Sequence, residues 1–91
     1  MFVIISYDIV DDKRRTKVSK MLENYGTRVQ YSVFECLIEE QQLKKIKELA
    51  GEIINFSEDS IRYYIICENC QKKINIMGIG EITSDVDFYV I

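Results

Sequence analysis

The strongest constraint on the fold is an alternating apolar run at the start of the chain, which ends in a carboxylate. Alternation along residues 2–9 predicts a strand with one face of apolar or aromatic side chains, namely Val3, Ile5, Tyr7 and Ile9. The opposite face begins with Phe2 and Ile4 and becomes polar at Ser6 and Asp8. Asp8 is therefore predicted to lie at the rim of a sheet, where the chain turns into a basic helix.

Asp8 has two interpretations from the residues alone. An aspartate near the end of a strand is commonly a turn former or a helix cap. Asp11 and Asp12 follow it closely and already supply capping side chains, which favours a functional role for Asp8. Both interpretations stay open at this point.

Length and composition indicate one domain, residues 1–91, with a modest core that a partner chain would help to stabilise. No basic segment precedes the first apolar run, and that run is too short to span a bilayer, so we expect a cytoplasmic protein without a membrane partner. Three cysteines in a chain without a secretion signal indicate reduced thiols.

The net charge of −3 disfavours a nucleic-acid partner, but the charge is unevenly distributed. Residues 1–30 hold six basic and four acidic side chains, whereas residues 31–91 hold six basic and eleven acidic ones. A cationic face on an acidic protein is one interpretation, and an ordinary solvated helix face is the other.

The middle of the chain predicts two helices and a broken strand. The first helix should start at Asp11 or Asp12 and run to about Tyr25, with Gly26 as its C-terminal stop. Its solvated side should carry Lys13, Arg14, Lys17 and Lys20. The strand formers of residues 28–38 change phase, so we expect a hairpin or a bulge near Tyr31-Ser32. A second helix follows over residues 40–50.

The last third of the chain predicts further strands. The apolar run 61–67 is typical of a strand buried on both faces. A polar turn covers residues 68–73, residues 74–77 form a short strand candidate, and residues 78–85 form a loop. Residues 86–91 end in the apolar run Phe88-Tyr89-Val90-Ile91 and should dock as an extra strand on a second copy of the protein, giving a homodimer.

The element order predicts an α+β fold of βαββαβ type, an antiparallel sheet with both helices on one face. Two such sheets facing each other across a dimer axis would bring Asp8 toward Asp8 of the second copy. One or two carboxylates together with phosphate oxygens and water are a usual Mg²⁺ site, and Mn²⁺ is an alternative. The chain has no histidine, so an imidazole base is excluded and water activation would depend on the metal.

Cys67 and Cys70 form a CxxC motif, which by spacing is half of a zinc site or a redox pair. A zinc ion needs four ligands, and Cys36 is the other thiol, so such a site would have to assemble across a dimer. We favour an incidental role. The six tyrosines could stack on bases, but core packing explains nearly all of them better.

Several ordered segments resemble the small CRISPR-associated Cas-two family. They are Tyr7-Asp8-Ile9, residues 11–15, Tyr25-Gly26, residues 28–35 and residues 59–62. The resemblance covers nearly the whole chain, and the ordered set is more specific than any single segment.

This resemblance implies a ferredoxin-like homodimer that acts as a Mg²⁺-dependent endonuclease on RNA or DNA, with the Cas-one integrase as a partner in CRISPR adaptation. On the matching positions, Asp8 would be the metal ligand with Tyr7 beside it. Arg15 and Arg28 would contact phosphate, and Phe34 would lie near the cleft. Lys17 stands where some relatives have arginine, which keeps the charge but loses bidentate geometry.

Three functions remain open from the sequence: a metal-dependent phosphodiesterase centred on Asp8, a non-catalytic dimeric scaffold for an integrase and DNA, and a toxin-like ribonuclease. The first two differ in what Asp8→Asn would do, because only the enzyme would lose its function.

Overall fold

The computed structural model describes residues 1–84, so the predicted C-terminal strand 86–91 and its docking on a second copy lie outside the described residues. The elements in chain order are β1 Phe2–Asp8, α1 Asp12–Glu23, β2 Thr27–Gln30, β3 Val33–Leu37, α2 Glu40–Ile53, β4 Ser60–Ile66 and α3 Glu68–Gln71. This order contains the predicted βαββαβ pattern.

The four strands form one antiparallel sheet in the order β2-β3-β1-β4. The first strand is therefore central, with Ile4 opposite Glu35 on one side and opposite Tyr64 on the other. Since both helices pack on one face, the predicted ferredoxin-like α+β fold is confirmed.

The core lies between the sheet and the two long helices. The predicted inward face of β1 is confirmed, because Val3 and Ile5 have no exposed surface and Tyr7 is only 4% exposed. Helix α1 contributes Val18 and Leu22 to this core, and α2 contributes Leu43 and Ile46. The alternation of β1 thus fixes which side of the sheet the helices cover and leaves Asp8 on the other side.

Helix α1 begins as predicted, because the Asp11 side chain caps it by accepting a hydrogen bond from the Arg14 N–H at 3.0 Å. The predicted end was wrong: the helix stops at Glu23, and Gly26 does not adopt a positive φ. Gly26 is needed for a different reason. A Cβ atom there would lie 2.5 Å from the Glu35 carbonyl oxygen and closer still to the Cys36 sulfur, so the chain passes too near β3 for a side chain.

The break predicted near Tyr31-Ser32 is confirmed. Strand β2 ends at Gln30, β3 starts at Val33, and the pairing register shifts between Arg28 and Gln30. The hairpin and the irregularity therefore occur together, and they turn Phe34 and Cys36 into the core.

The prediction that the strand over residues 61–67 is buried on both faces is wrong. Tyr64 is 46% exposed and Ile65 is 59% exposed, because β4 is an edge strand of the described sheet and pairs only with β1. An apolar run marks a strand but does not distinguish a central position from an edge that a further chain could cover.

The segment after β4 also differs from the expectation. Residues 68–71 form the short helix α3, and residues 74–77 carry no strand. Helix α2 extends to Ile53, three residues beyond its predicted end. Thr83 donates a hydrogen bond to the Glu35 carboxylate at 2.5 Å, which brings the segment after α3 back to the sheet face that the helices leave open. Within residues 1–84, no helix is long and apolar enough to cross a membrane.

Candidate functional site

A cleft of about 560 Å³ opens where the end of β1 meets helix α1 and the β2–β3 turn. Four of the five site residues predicted from the sequence line it, and these are Tyr7, Asp8, Arg15 and Arg28. The remaining lining residues are Ile9, Thr16, Ser19, Lys20, Glu23, Tyr31 and Ser32. The fold therefore brings together side chains that are more than twenty residues apart in the chain.

Asp8 is the last residue of β1 and lies opposite Ser60 of β4. It is exposed, while Tyr7 before it is 4% exposed and Ile9 after it is also buried. A buried residue on each side holds the backbone of Asp8, so its carboxylate projects into solvent from a fixed position at the mouth of the cleft. This is the rim position that the alternation predicted.

Arg15 anchors the connection between β1 and α1. Its guanidinium donates to the Ile9 carbonyl oxygen at 3.1 and 3.0 Å and to the Val10 carbonyl oxygen at 3.2 Å. The guanidinium also donates to the Asp12 carboxylate at 2.5 Å, and this contact is an exposed ion pair within the first turn of α1. Arg15 thus holds Ile9 and Val10, the two residues that follow Asp8.

Asp59 holds the same connection from the opposite side. Its carboxylate accepts hydrogen bonds from the Val10 N–H at 3.0 Å, the Asn55 N–H at 2.9 Å and the Arg14 guanidinium at 2.8 Å. The hydrogen bond from Arg14 is the main reason why the pKa of Asp59 falls to about 2. The Asp59 side chain has no exposed surface, so this is a buried joint between the β1–α1 and α2–β4 connections.

The prediction that Arg14 lies on the solvated side of α1 is wrong. Its side chain is 25% exposed and is bound by Asp59 and, at 3.0 Å, by Glu58. The partners are 45 residues apart in the chain, and no local pattern links them.

Arg28 connects the β2–β3 hairpin to α1. Its guanidinium donates to the Ser19 hydroxyl and lies over the Phe34 ring, 5.5 Å from the ring centroid. Ser19 is one of the few polar residues in the core, at 6% exposure, and this bond satisfies its hydroxyl. Arg28 itself is exposed, so the same contacts fix a cation at the wall of the cleft.

Tyr7 and Phe34 lie beneath the cleft. Their rings stack with centroids 6.4 Å apart, and Phe34 has no exposed surface. The Tyr7 hydroxyl donates to the Tyr31 carbonyl oxygen at 3.3 Å, and the Tyr7 N–H donates to the Ser32 carbonyl oxygen at 3.0 Å. Both aromatic residues therefore support the β2–β3 turn from below.

Several lining residues of the cleft were not predicted, although the sequence holds a signal for some of them. Arg15, Ser19 and Glu23 are spaced by four residues and so share one face of α1. Tyr31 is 95% exposed at the rim, which contradicts core packing as the explanation for this tyrosine. Of the charged residues that line the cleft, three are basic and two are acidic, so the cleft is more cationic than the protein as a whole.

The three cysteines do not come together in one site. Cys36 is fully buried in the core, whereas Cys67 and Cys70 are exposed. Among residues 1–84, no group of three or more His, Cys, Asp or Glu side chains is arranged to hold a metal ion.

Comparisons with known proteins agree with this fold. The family model of CRISPR associated protein Cas2 matches residues 1–74. A relative from Chloroflexus aurantiacus named CRISPR-associated endoribonuclease Cas2 3 is 44% identical, over all of this chain and 98% of the relative.

Two solved structures are also similar. A crystal structure of Streptococcus pyogenes Cas2 at pH 6.5 is 36% identical, with a TM-score of 0.76 over 86% of this chain and all of that one. A chain of a partial Cas6-RT-Cas1–Cas2 complex is 32% identical, with a TM-score of 0.72 over 84% of this chain and 83% of that one. The family match, the full-length relative and the shared fold lead to one conclusion: the chain belongs to the CRISPR-associated Cas2 family.

Proposed function

We propose that the protein is a metal-dependent endonuclease that hydrolyses phosphodiester bonds of RNA or DNA and acts with a Cas1 integrase in CRISPR adaptation. The observation that carries this proposal is the exposed carboxylate of Asp8, held at the end of a buried strand in the same cleft as Arg15, Lys20 and Arg28. The endoribonuclease name of the Chloroflexus relative and the Cas1–Cas2 complex among similar structures support it.

The cleft has the chemistry to bind a phosphodiester backbone. Lys20 and Arg28 are exposed cations on its walls, and Thr16 adds a hydroxyl donor. Backbone contacts of this kind position a nucleic acid without reading its bases, and the affinity they give falls with salt. Arg15 adds its positive charge to the cleft, while its hydrogen bonds hold the β1–α1 connection.

The donor chemistry of Asp8 fits Mg²⁺, or alternatively Mn²⁺, which prefers carboxylate, phosphate and water oxygens. Asp8 supplies one carboxylate per chain, and Asp8 of a second copy would supply another in a homodimer. A metal held there would stabilise charge on a phosphate oxygen and lower the pKa of a coordinated water. The residues of the chain then have the tasks of binding the backbone and fixing the position of Asp8.

A homodimer is part of this proposal because the sheet leaves apolar surface uncovered. Tyr64 is 46% exposed on the face opposite the helices, and β4 offers a free edge within the described sheet. Packing against a second copy would cover such a surface and remove the edge. Sedimentation of the purified protein should give twice the mass of the chain.

The test is cleavage of labelled single-stranded RNA and duplex DNA by the parent protein, Asp8→Asn and Glu23→Gln, with Mg²⁺, with Mn²⁺ and with a chelator. Glu23 is the matched control, since it is the other carboxylate that lines the cleft. We expect metal-dependent cleavage by the parent and by Glu23→Gln, and none by Asp8→Asn. Equal cleavage by all three proteins would contradict the proposal.

The alternative is a non-catalytic dimeric scaffold for the integrase and DNA, and the similarity to a chain of a Cas1–Cas2 complex favours it. A scaffold depends on the cations of the cleft and not on Asp8. If no protein cleaves under any metal, while Asp8→Asn still binds duplex DNA and integrase as the parent does, the scaffold is the function.

A further inference from the structure

Cys67 and Cys70 lie at the point where the chain leaves β4 and enters α3. Both thiols are exposed, and their residues are separated by about one helical turn, with Cys67 as the N-cap of α3 and Cys70 within it. The Cys67 sulfur accepts a hydrogen bond from the Cys70 N–H at 3.4 Å, and the Cys70 sulfur is three bonds from that nitrogen. The Cys67 sulfur therefore lies against the backbone of the residue that carries the second thiol.

The two thiols are chemically unequal. Hydrogen bonds from the Cys70 N–H and the Cys70 thiol lower the pKa of Cys67, whereas the same contact raises the pKa of Cys70. A thiolate is the attacking form in thiol chemistry, so Cys67, which ionises more readily than Cys70, is the first nucleophile of the pair.

The geometry fits a redox pair better than a metal site. A structural zinc site takes four ligands. Cys36, the third thiol, has no exposed surface and lies in the core, so it is not available as a further ligand. A disulfide needs only the two sulfur atoms that the chain already brings together. CxxC pairs with an exposed first cysteine are typical of thiol–disulfide exchange.

We propose that Cys67 and Cys70 form a thiol–disulfide exchange site whose substrate is a small disulfide of the glutathione class. The Cys67 thiolate attacks one sulfur of the disulfide, a mixed disulfide forms, and one glutathione leaves as its thiolate. Cys70 then loses its proton and attacks the Cys67 sulfur, which closes the Cys67–Cys70 bond and releases the second glutathione. The protein dithiol loses two electrons and two protons, and the disulfide gains both. This site is separate from the cleft and does not depend on the nuclease activity.

The experiment treats the folded, fully reduced protein with oxidised glutathione, quenches samples by alkylation, and maps each cysteine by mass spectrometry. Cys36 is an internal control, because burial raises the pKa of its thiol to about 11. That rise from 9.0 leaves Cys36 with about 100-fold less thiolate at neutral pH than an unperturbed thiol, since each pKa unit is a factor of ten. A thiolate of higher pKa is also the stronger nucleophile, which offsets about tenfold of this difference, so we expect Cys67 to react at least ~10-fold faster than Cys36.

Two variants separate the steps. The parent should lose the mass of two hydrogen atoms and retain no glutathione. Cys70→Ser should retain one glutathione on Cys67, since the resolving thiol is gone, and Cys67→Ser should react slowly at Cys70. Circular dichroism checks that each variant is folded, and the comparison of Cys67 with Cys36 in the parent stands without them.

Several results would overturn the proposal. Reaction of Cys67 no faster than that of Cys36 is one, and stable glutathione on the parent protein is another. Purified protein that carries stoichiometric zinc on these thiols, and that resists oxidation until the zinc is chelated, would show a metal site instead.

Discussion

Replacing Phe34 tests whether this residue acts on substrate or only supports the cleft. The family resemblance implies a site role, but the side chain has no exposed surface and lies between the Tyr7 ring and the Arg28 guanidinium. We predict that Phe34→Ala lowers activity by unfolding the protein, and that Phe34→Leu, which refills most of the space, keeps the cleft functional.

The magnitude follows from the burial. Truncation of a buried phenylalanine to alanine costs about 3–5 kcal/mol, a large part of the ~5–15 kcal/mol that stabilises a small domain. At roughly 4–8 °C per kcal/mol for a domain of this size, the melting temperature should fall by about 12–40 °C. Tyr31→Ala is the matched control: its ring is 95% exposed three residues earlier, so the change in stability should stay within about 0.5 kcal/mol.

The assay combines urea unfolding of each variant with cleavage, or nucleic-acid binding, measured at a temperature where Phe34→Leu is folded. We expect its activity per folded molecule to match that of the parent. A stable, folded Phe34→Leu that loses tenfold or more, about 1.4 kcal/mol of transition-state stabilisation, would refute the reasoning and give Phe34 a direct role.

Two further predictions concern stability. Gly26→Ala should cost about 1–3 kcal/mol in urea unfolding, because its Cβ would collide with the Glu35 carbonyl oxygen. Gly51 lies inside α2, and a Cβ atom there would be 3.9 Å from the Phe56 ring, which is an ordinary contact. Gly51→Ala should therefore gain about 0.5–1 kcal/mol of stability. Equal effects of the two substitutions would contradict the close approach at Gly26. The pKa of Asp59 is about 2 in the folded protein, below the 3.8 of the unfolded chain. The stability that its carboxylate contributes is therefore fully present above pH 3.8 and is lost as the pH falls toward 2. In Asp59→Asn, the free energy of unfolding measured with urea should fall less between pH 4 and pH 2 than it does in the parent. Glu58→Gln is the control, because Glu58 binds the same Arg14 but is 53% exposed, and it should leave this pH dependence nearly unchanged.

The parts of the fold that the sequence predicted are those that a local pattern determines. Alternation over residues 2–9 gave the buried face of β1 and the rim position of Asp8, because side chains point to opposite faces with a period of two. The phase change before Phe34 gave the break between β2 and β3 for the same reason. Each of these inferences used residues only a few positions apart.

The misses depend on contacts between distant segments. Gly26 resembles a helix stop, and only the position of β3 shows that it is a point of close approach. The ion pair of Arg14 with Asp59 spans 45 residues. The exposure of β4 follows from its place at the sheet edge, which depends on the order of all four strands. Such features are properties of the assembled sheet and have no signature in a short window of sequence.

Arg14 and Arg15 together explain how the backbone next to Asp8 is held. Arg15 binds the carbonyl oxygens of Ile9 and Val10, and Arg14 binds the carboxylate of Asp59 that accepts from the Val10 N–H. The backbone of Val10 is therefore bonded at both its N–H and its carbonyl group, two residues after Asp8. A loop fixed in this way holds the backbone that follows Asp8, and in the proposed metal-dependent reaction the carboxylate of Asp8 would depend on such support. Removal of the Asp59 carboxylate should thus lower cleavage while leaving the cations that bind nucleic acid in place.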